Sequence, residues 1–158
     1  MYSTLVVLHI LAAVTWIGGM IFLSLVLAPL VRGRKAAPEF MALFRSAALR
    51  FRPIVWVAIA VLLITGPMLL SLRNINVISP ALWPVILTVK LMLVALLLFL
   101  TLLHDLVFGP QVSRVSAIPD SQRTSSEQIV FKTARWLPRL SLLIALAVMI
   151  SATVLART

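Results

Sequence analysis

The chain has no cysteine. That absence excludes disulfides, thiolate metal sites, iron–sulfur clusters and covalent c-type haem attachment together. Histidine is scarce as well, with two residues and no cluster, and the methionines of the apolar segments (Met20, Met68, Met92 and Met149) stand singly, with no Met-x-x-Met. Acidic residues number four against fourteen basic ones. None of the four lies in the middle of an apolar run, so no carboxylate is at hand to neutralise a cation there.

What is present is apolar. With 62% hydrophobic and 11% charged residues and a mean hydropathy of +1.13, the chain is excluded from the ordinary soluble classes. Stretches of about 20 apolar residues are needed to cross roughly 30 Å of hydrocarbon, and four are found: Thr4 to Val31, Pro53 to Leu72, Leu82 to Phe108 and Trp136 to Ala156. None alternates as a barrel strand does, so backbone satisfaction in lipid requires helices. The expectation is one domain over residues 1–158, an all-α bundle of four transmembrane helices. The first segment is too long for a removable signal peptide and no basic residue precedes it. The connections are too short to hold a catalytic domain of their own, so chemistry belongs inside the bundle or at its rims. No inverted repeat of the transporter kind is evident.

The formal charge of +10 is distributed by topology. Arg32, Arg34, Lys35, Arg45, Arg50 and Arg52 separate the first two segments; Arg114, Arg123, Lys132 and Arg135 separate the last two; the middle connection carries Arg73 alone. By the positive-inside rule both basic loops are cytoplasmic and both termini face outward. The basic excess thus serves orientation and attraction to anionic lipid rather than nucleic acid. In the first basic loop Pro38 can open a helix that aligns Phe40, Leu43, Phe44, Ala47 and Phe51, an interfacial amphipathic helix. In the second, Ser125 or Ser126 ahead of Glu127 marks a helix start running into the fourth span. Trp83 and Trp136 fit the aromatic belts, while Trp16 and Trp56 lie deeper, as packing residues.

Lys90 stands in the middle of the third segment, where a charge costs about 2.5–3.5 kcal/mol even on insertion scales. Counted inward from the outer ends, His9 lies roughly 8 Å deep and Lys90 roughly 12 Å. Thr65, Gly66, Pro67 and Met68 of the second segment and Met149 and Ser151 of the fourth belong to the same outer half. On the third segment Lys90, Val94, Leu97, Thr101 and His104 share one helical face, expected to point inward. His9 shares its face with Ala13, Trp16 and Met20, flanked by Ala12, Thr15, Gly18 and Gly19, whose small size admits a neighbouring helix or a flat cofactor. His9 is a candidate axial haem ligand or other metal ligand, or else a histidine bonded to a nearby hydroxyl or backbone carbonyl. With His9, Met68 or Met149 would make a sparse Cu(I) site. His104 lies near the inner end, more than about 20 Å away along the bundle, and belongs to another level.

Four stretches together resemble the CopD-like copper-resistance membrane proteins, in their short, stand-alone form: LHILAAVTWIGGMIF, RFRPIVWVAIAVLLITG, VKLMLVALLLFLTLLHDLVFGP and RWLPRLSLLIALAVMISATVLAR. The HemJ-type protoporphyrinogen oxidases are similar at greater distance, through a first-helix histidine followed by aromatic and small residues and a Lys-Leu opening on a later helix. The resemblance implies that His9 and Lys90 serve haem b; Trp16, Thr65 and Gly66 are further candidates for the same cofactor, and the protein is expected in a bacterial or archaeal plasma membrane. Its role would be electron transfer, with a quinone or a redox partner subunit, or haem-dependent oxidation. The CopD-like label also implies copper handling, with His9, Met68, Met149 or His104 as donors. A third expectation is an accessory subunit in a homo- or hetero-oligomer.

Overall fold

The computed structural model describes residues 1–32, 38–76, 78–79, 82–115, 122 and 124–157. Arg34, Lys35 and Arg123, counted above among the basic loop residues, lie outside them. Four helices are long and apolar enough to cross a membrane: Tyr2–Leu30, Glu39–Leu72, Val85–Val112 and Ser125–Arg157. Their exposed residues include Leu11, Val57, Ile64, Met92, Leu143 and Ile150, with Val57, Leu143 and Ile150 each 65% exposed. Large apolar side chains on that scale belong against lipid, not water. The chain is a multi-pass membrane protein, and its helices form two compact units, Met1–Trp83 and Pro84–Thr158.

The first unit opens with α1 (Tyr2–Ile21), passes through a π-helical segment (Phe22–Leu27) and ends its first pass in α2 (Ala28–Arg32). The widening has a local cause. Pro29 has no N–H to give, and its ring crowds the carbonyl four residues back, so the preceding turn opens to relieve it. The next helix, α3 (Pro38–Leu72), starts at the proline expected to open an interfacial helix, but it does not stop before the second span. It runs through Pro53 and Pro67, each of which costs the helix one donor.

An Asn closes α3. Asn74 takes a left-handed φ of 56°, its N–H donates to the Ser71 carbonyl at 3.0 Å, and the Ile75 N–H donates to the Leu70 carbonyl at 3.0 Å. This is a Schellman ending, in which orphan carbonyls of the last turn are satisfied. The loop beyond is tied by the Trp83 indole N–H, which donates to the Asn76 carbonyl at 2.8 Å.

Helix α1 packs on α3, and two contacts fix the sense. His9 meets Thr65, whereas Gly19, ten residues on, lies against the ring of Phe51. The partner number falls as the α1 number rises, so the helices are antiparallel. Ala12, Trp16 and Ile17 of α1 and Ala58, Ile59 and Thr65 of α3 are buried. The small residues of α1 divide in role: a Cβ on Gly19 would lie within the Phe51 ring, whereas one on Gly18 would meet nothing within 4 Å. Phe51, expected on an interfacial face with Phe40 and Leu43, is half-buried here, while those two stay exposed.

In the second unit α4 (Val85–Leu103) passes into a π segment (His104–Phe108) and then α5 (Gly109–Val115). Pro110 stands in the same relation to this π segment as Pro29 to the first. The last helix, α6 (Ser125–Arg157), packs against α4, the π segment and α5. It begins where expected, but the cap is Thr124. The Glu127 carboxylate accepts from the Thr124 N–H at 2.7 Å and from its hydroxyl at 2.9 Å, and the Glu127 N–H donates back to that hydroxyl at 3.4 Å. That is a capping box. Leu87, Leu97 and Leu100 of α4 are buried, as are Leu137, Ser141, Leu142, Ile144, Ala145 and Ser151 of α6. Toward the middle of α6 the Arg139 guanidinium lies over the Trp136 ring at 4.8 Å.

The Gly19–Phe51 contact generates a pair of expectations. Gly19→Ala displaces the Phe51 ring and destabilises by about 1–3 kcal/mol, the usual cost of overpacking, whereas Gly18→Ala is neutral or stabilising by up to about 1 kcal/mol through helix propensity. Thermal unfolding of both variants in detergent, followed by tryptophan fluorescence, checks the ordering; equal midpoints would remove Gly19 from the packing account.

Candidate functional site in the first unit

Thr65 is 4% exposed, on the α3 face that meets α1. Its hydroxyl donates to the Val61 carbonyl one turn back, at 2.7 Å. A threonine inside a helix often does this, because the carbonyl has a second lone pair and the hydroxyl no water to turn to. The same oxygen lies 2.7 Å from His9 Nδ1. A hydroxyl has one hydrogen, and it is already directed at Val61. Nδ1 must therefore be the donor in this pair, so the proton of a neutral imidazole sits on Nδ1 and the lone pair on Nε2.

The chain His9 Nδ1–H to Thr65 Oγ1 to Val61 carbonyl selects a tautomer and holds the ring plane. Histidine ligands to metals are commonly prepared this way, through a hydrogen bond on the nitrogen that does not ligate. The opening beside the ring is set by Gly66, where a Cβ would stand 3.8 Å from His9 Cε1, an ordinary contact. The glycine is a matter of shape rather than strict need, and alanine would fit.

Seven residues along α1, on the same face, Trp16 is 3% exposed, and its indole Nε1 is buried with no hydrogen-bond partner among the described residues. A buried N–H left unmatched costs about 1–3 kcal/mol. Packing alone, the role expected for Trp16, does not account for keeping an indole where a phenyl ring would avoid that cost. The sequence signals a deep tryptophan but not the state of its nitrogen.

The remaining candidates are distributed as follows. His9, Trp16, Thr65, Gly66 and Met68 belong to the first unit. Lys90, His104 and Met149 belong to the second. Met68 is 40% exposed and Met149 44%. Met68 lines a cleft of about 420 Å³ with Met1, Leu5, Pro67, Ser71 and Leu72. Lys90 is half-buried on α4. Of the face expected to point inward, Leu97 is buried, Val94 and Thr101 are half-buried, and His104 is exposed. His104 is the first residue of the π segment. Among the described residues no three His, Cys, Asp or Glu side chains are grouped to hold a metal ion.

The Trp16 nitrogen yields a discriminating substitution. If nothing bonds to Nε1, Trp16→Phe leaves stability unchanged or raises it, after allowance for the smaller ring; if the N–H meets a bound group in the purified protein, the variant loses that group or holds it more weakly. Unfolding midpoint and absorption spectrum of the same preparation separate the two.

Comparison with protein-family models, with curated proteins and with solved structures finds no match to this chain.

Proposed function

We propose that the protein is a b-type haem-binding membrane protein that uses His9 as axial ligand, with electron transfer as its role. The observation that carries the reading is the Nδ1 side of His9. Thr65 and the Val61 carbonyl hold the proton there, which leaves Nε2 as the lone-pair nitrogen, the form of imidazole that binds iron.

The donor chemistry favours haem over a bare metal ion. A porphyrin brings four nitrogen ligands of its own and asks the protein for one or two, whereas an ion held by His, Cys, Asp and Glu side chains would draw on a group of three or more, which the described residues do not contain. Bound there, a haem supplies one-electron redox chemistry. The chain's own residues do the rest: His9 presents Nε2, Thr65 fixes the tautomer, Gly66 keeps the space beside the ring narrow-walled but open, and the Trp16 N–H is a donor for an anionic oxygen. A quinone or a partner subunit is the exchange partner that this role calls for.

A copper reading has one observation in its favour, since Met68 and Met1 line one cleft and thioethers suit Cu(I). In either case we place the protein in a bacterial or archaeal plasma membrane, with both termini outside and the Arg45–Arg52 stretch of α3 at the cytoplasmic surface, where its arginines meet anionic headgroups and Phe40 and Leu43 enter the interface.

An absorption spectrum of the detergent-purified protein, oxidised and dithionite-reduced, with copper quantified alongside, tests the assignment. A Soret peak with sharp reduced bands is expected; a colourless protein with bound copper would replace haem by the second reading, and one with neither would leave an accessory subunit. His9→Ala abolishes haem retention, and Thr65→Val weakens it about 10–100-fold as loss of an outer-shell partner does. Full haem content in His9→Ala would overturn the ligand.

Orientation is testable on the cysteine-free background. An impermeant maleimide added to intact cells labels Asn76→Cys and not Ser46→Cys, and the reverse holds for inverted vesicles.

A further inference from the structure

Helix α6 has two faces. One is packed, with Leu137, Ala145 and Ser151 buried. Steps of four, three, four, three and four residues along the other give Lys132, Trp136, Arg139, Leu143, Leu146 and Ile150, a single stripe by helical spacing. All six are exposed, and Trp136, Leu143 and Ile150 each reach 65%. The stripe changes character once: its first three residues are a cation, an aromatic ring and a cation, and its last three are aliphatic.

These positions match the depth of one membrane leaflet. From Arg139 to Ile150 the helix rises about 16 Å at 1.5 Å per residue, close to half of the roughly 30 Å hydrocarbon core. When the aliphatic part of the stripe covers one leaflet, Trp136 and the two cations lie at headgroup level.

Within this pattern Arg139 is out of the ordinary place for a topological charge. Basic residues that only orient a span lie ahead of it, as Lys132 does; Arg139 comes after Trp136, inside the apolar run. A helical side chain slants toward the N-terminus of its helix, and here the slant carries the guanidinium back over the Trp136 ring, 4.8 Å from its centroid. The ring attracts the cation through its π face but offers no lone pair, so it leaves the N–H fork of the guanidinium to bond elsewhere. The indole N–H and the Lys132 ammonium are likewise donors only. Glu127, the one acidic residue of α6, is engaged by Thr124 at the helix start and stands about 18 Å from Arg139 along the axis.

We propose that the Lys132, Trp136 and Arg139 face of α6 binds one anionic phospholipid, whose phosphate is held by the Arg139 fork with Lys132 and the Trp136 N–H beside it, and whose acyl chains lie along Leu143, Leu146 and Ile150. A cluster made only of donors and positive charge calls for an anionic oxygen, and the guanidinium fork suits the paired oxygens of a phosphate. The aliphatic stripe of leaflet depth calls for a chain attached to that phosphate. General attraction of basic loops to an anionic surface counts charges; this site depends on where one arginine stands and on the ring beneath it. It lies wholly within the second unit and stands whether or not His9 holds a haem.

Native mass spectrometry of the full chain from a neutral detergent, with phosphatidylglycerol or phosphatidylcholine of the same acyl chains added, tests the proposal. One phosphatidylglycerol is retained, and phosphatidylcholine binds at least about tenfold more weakly. Arg139→Gln lowers the phosphatidylglycerol affinity about tenfold or more, whereas Arg139→Lys loses less, because it keeps the charge without the fork. Arg157→Gln, the same charge change at an exposed position on the same helix, leaves the affinity as it was. Equal affinity for the two lipids in the unaltered protein overturns the site with no variant needed. So does an affinity unchanged in Arg139→Gln, or an equal loss in Arg139→Gln and Arg157→Gln, which would reduce the effect to net charge.

Discussion

In hydrocarbon a backbone polar group has only the protein to bond to, and most of what this chain does structurally follows from that constraint. It makes the apolar segments helical. It also makes the exceptions to regular helix local and traceable, because each proline withdraws one donor and crowds one carbonyl. Pro29 and Pro110 are preceded by π turns, while Pro53, Pro67 and Pro138 are carried inside continuous helices. The same constraint sends the Thr65 hydroxyl to the Val61 carbonyl, and that donation determines which nitrogen of His9 bears the proton.

The candidate site is therefore assembled from ordinary parts. A back-bonded threonine is common in membrane helices, as is a histidine bonded to a hydroxyl. Placing them 2.7 Å apart across two antiparallel helices turns a packing detail into a chemical one, for it presents Nε2 in its lone-pair form. The buried Trp16 N–H is the one buried side-chain polar atom among the described residues with no hydrogen-bond partner. Gly19 and Phe51 interlock, and the end of α3 closes its own carbonyls through Asn74.

Much of the outline was legible from composition and run length. Four apolar stretches in a chain with four acidic residues leave little choice but membrane helices. Their ends were less legible, for a physical reason. The apolar run marks where lipid begins, whereas the helix stops only where its terminal groups find other partners. Thus α3 starts at Pro38 and not at Pro53, and α6 starts behind the Thr124–Glu127 box, eleven residues before Trp136.

By itself the sequence determined that this is a multi-pass helical membrane protein, that Cys chemistry is excluded, and that His9 and Lys90 are the polar residues to explain, because apolar run length, composition and the cost of a buried charge are properties of residues taken in order. Only the tertiary structure decided that His9 meets Thr65 rather than another hydroxyl, that Gly19 and not Gly18 is the point of close approach, and that the Trp16 nitrogen goes unmatched among the described residues. Those depend on the rotation and register of one helix against another, to which an apolar sequence rich in Leu, Val, Ile and Ala is nearly indifferent until side chains interlock.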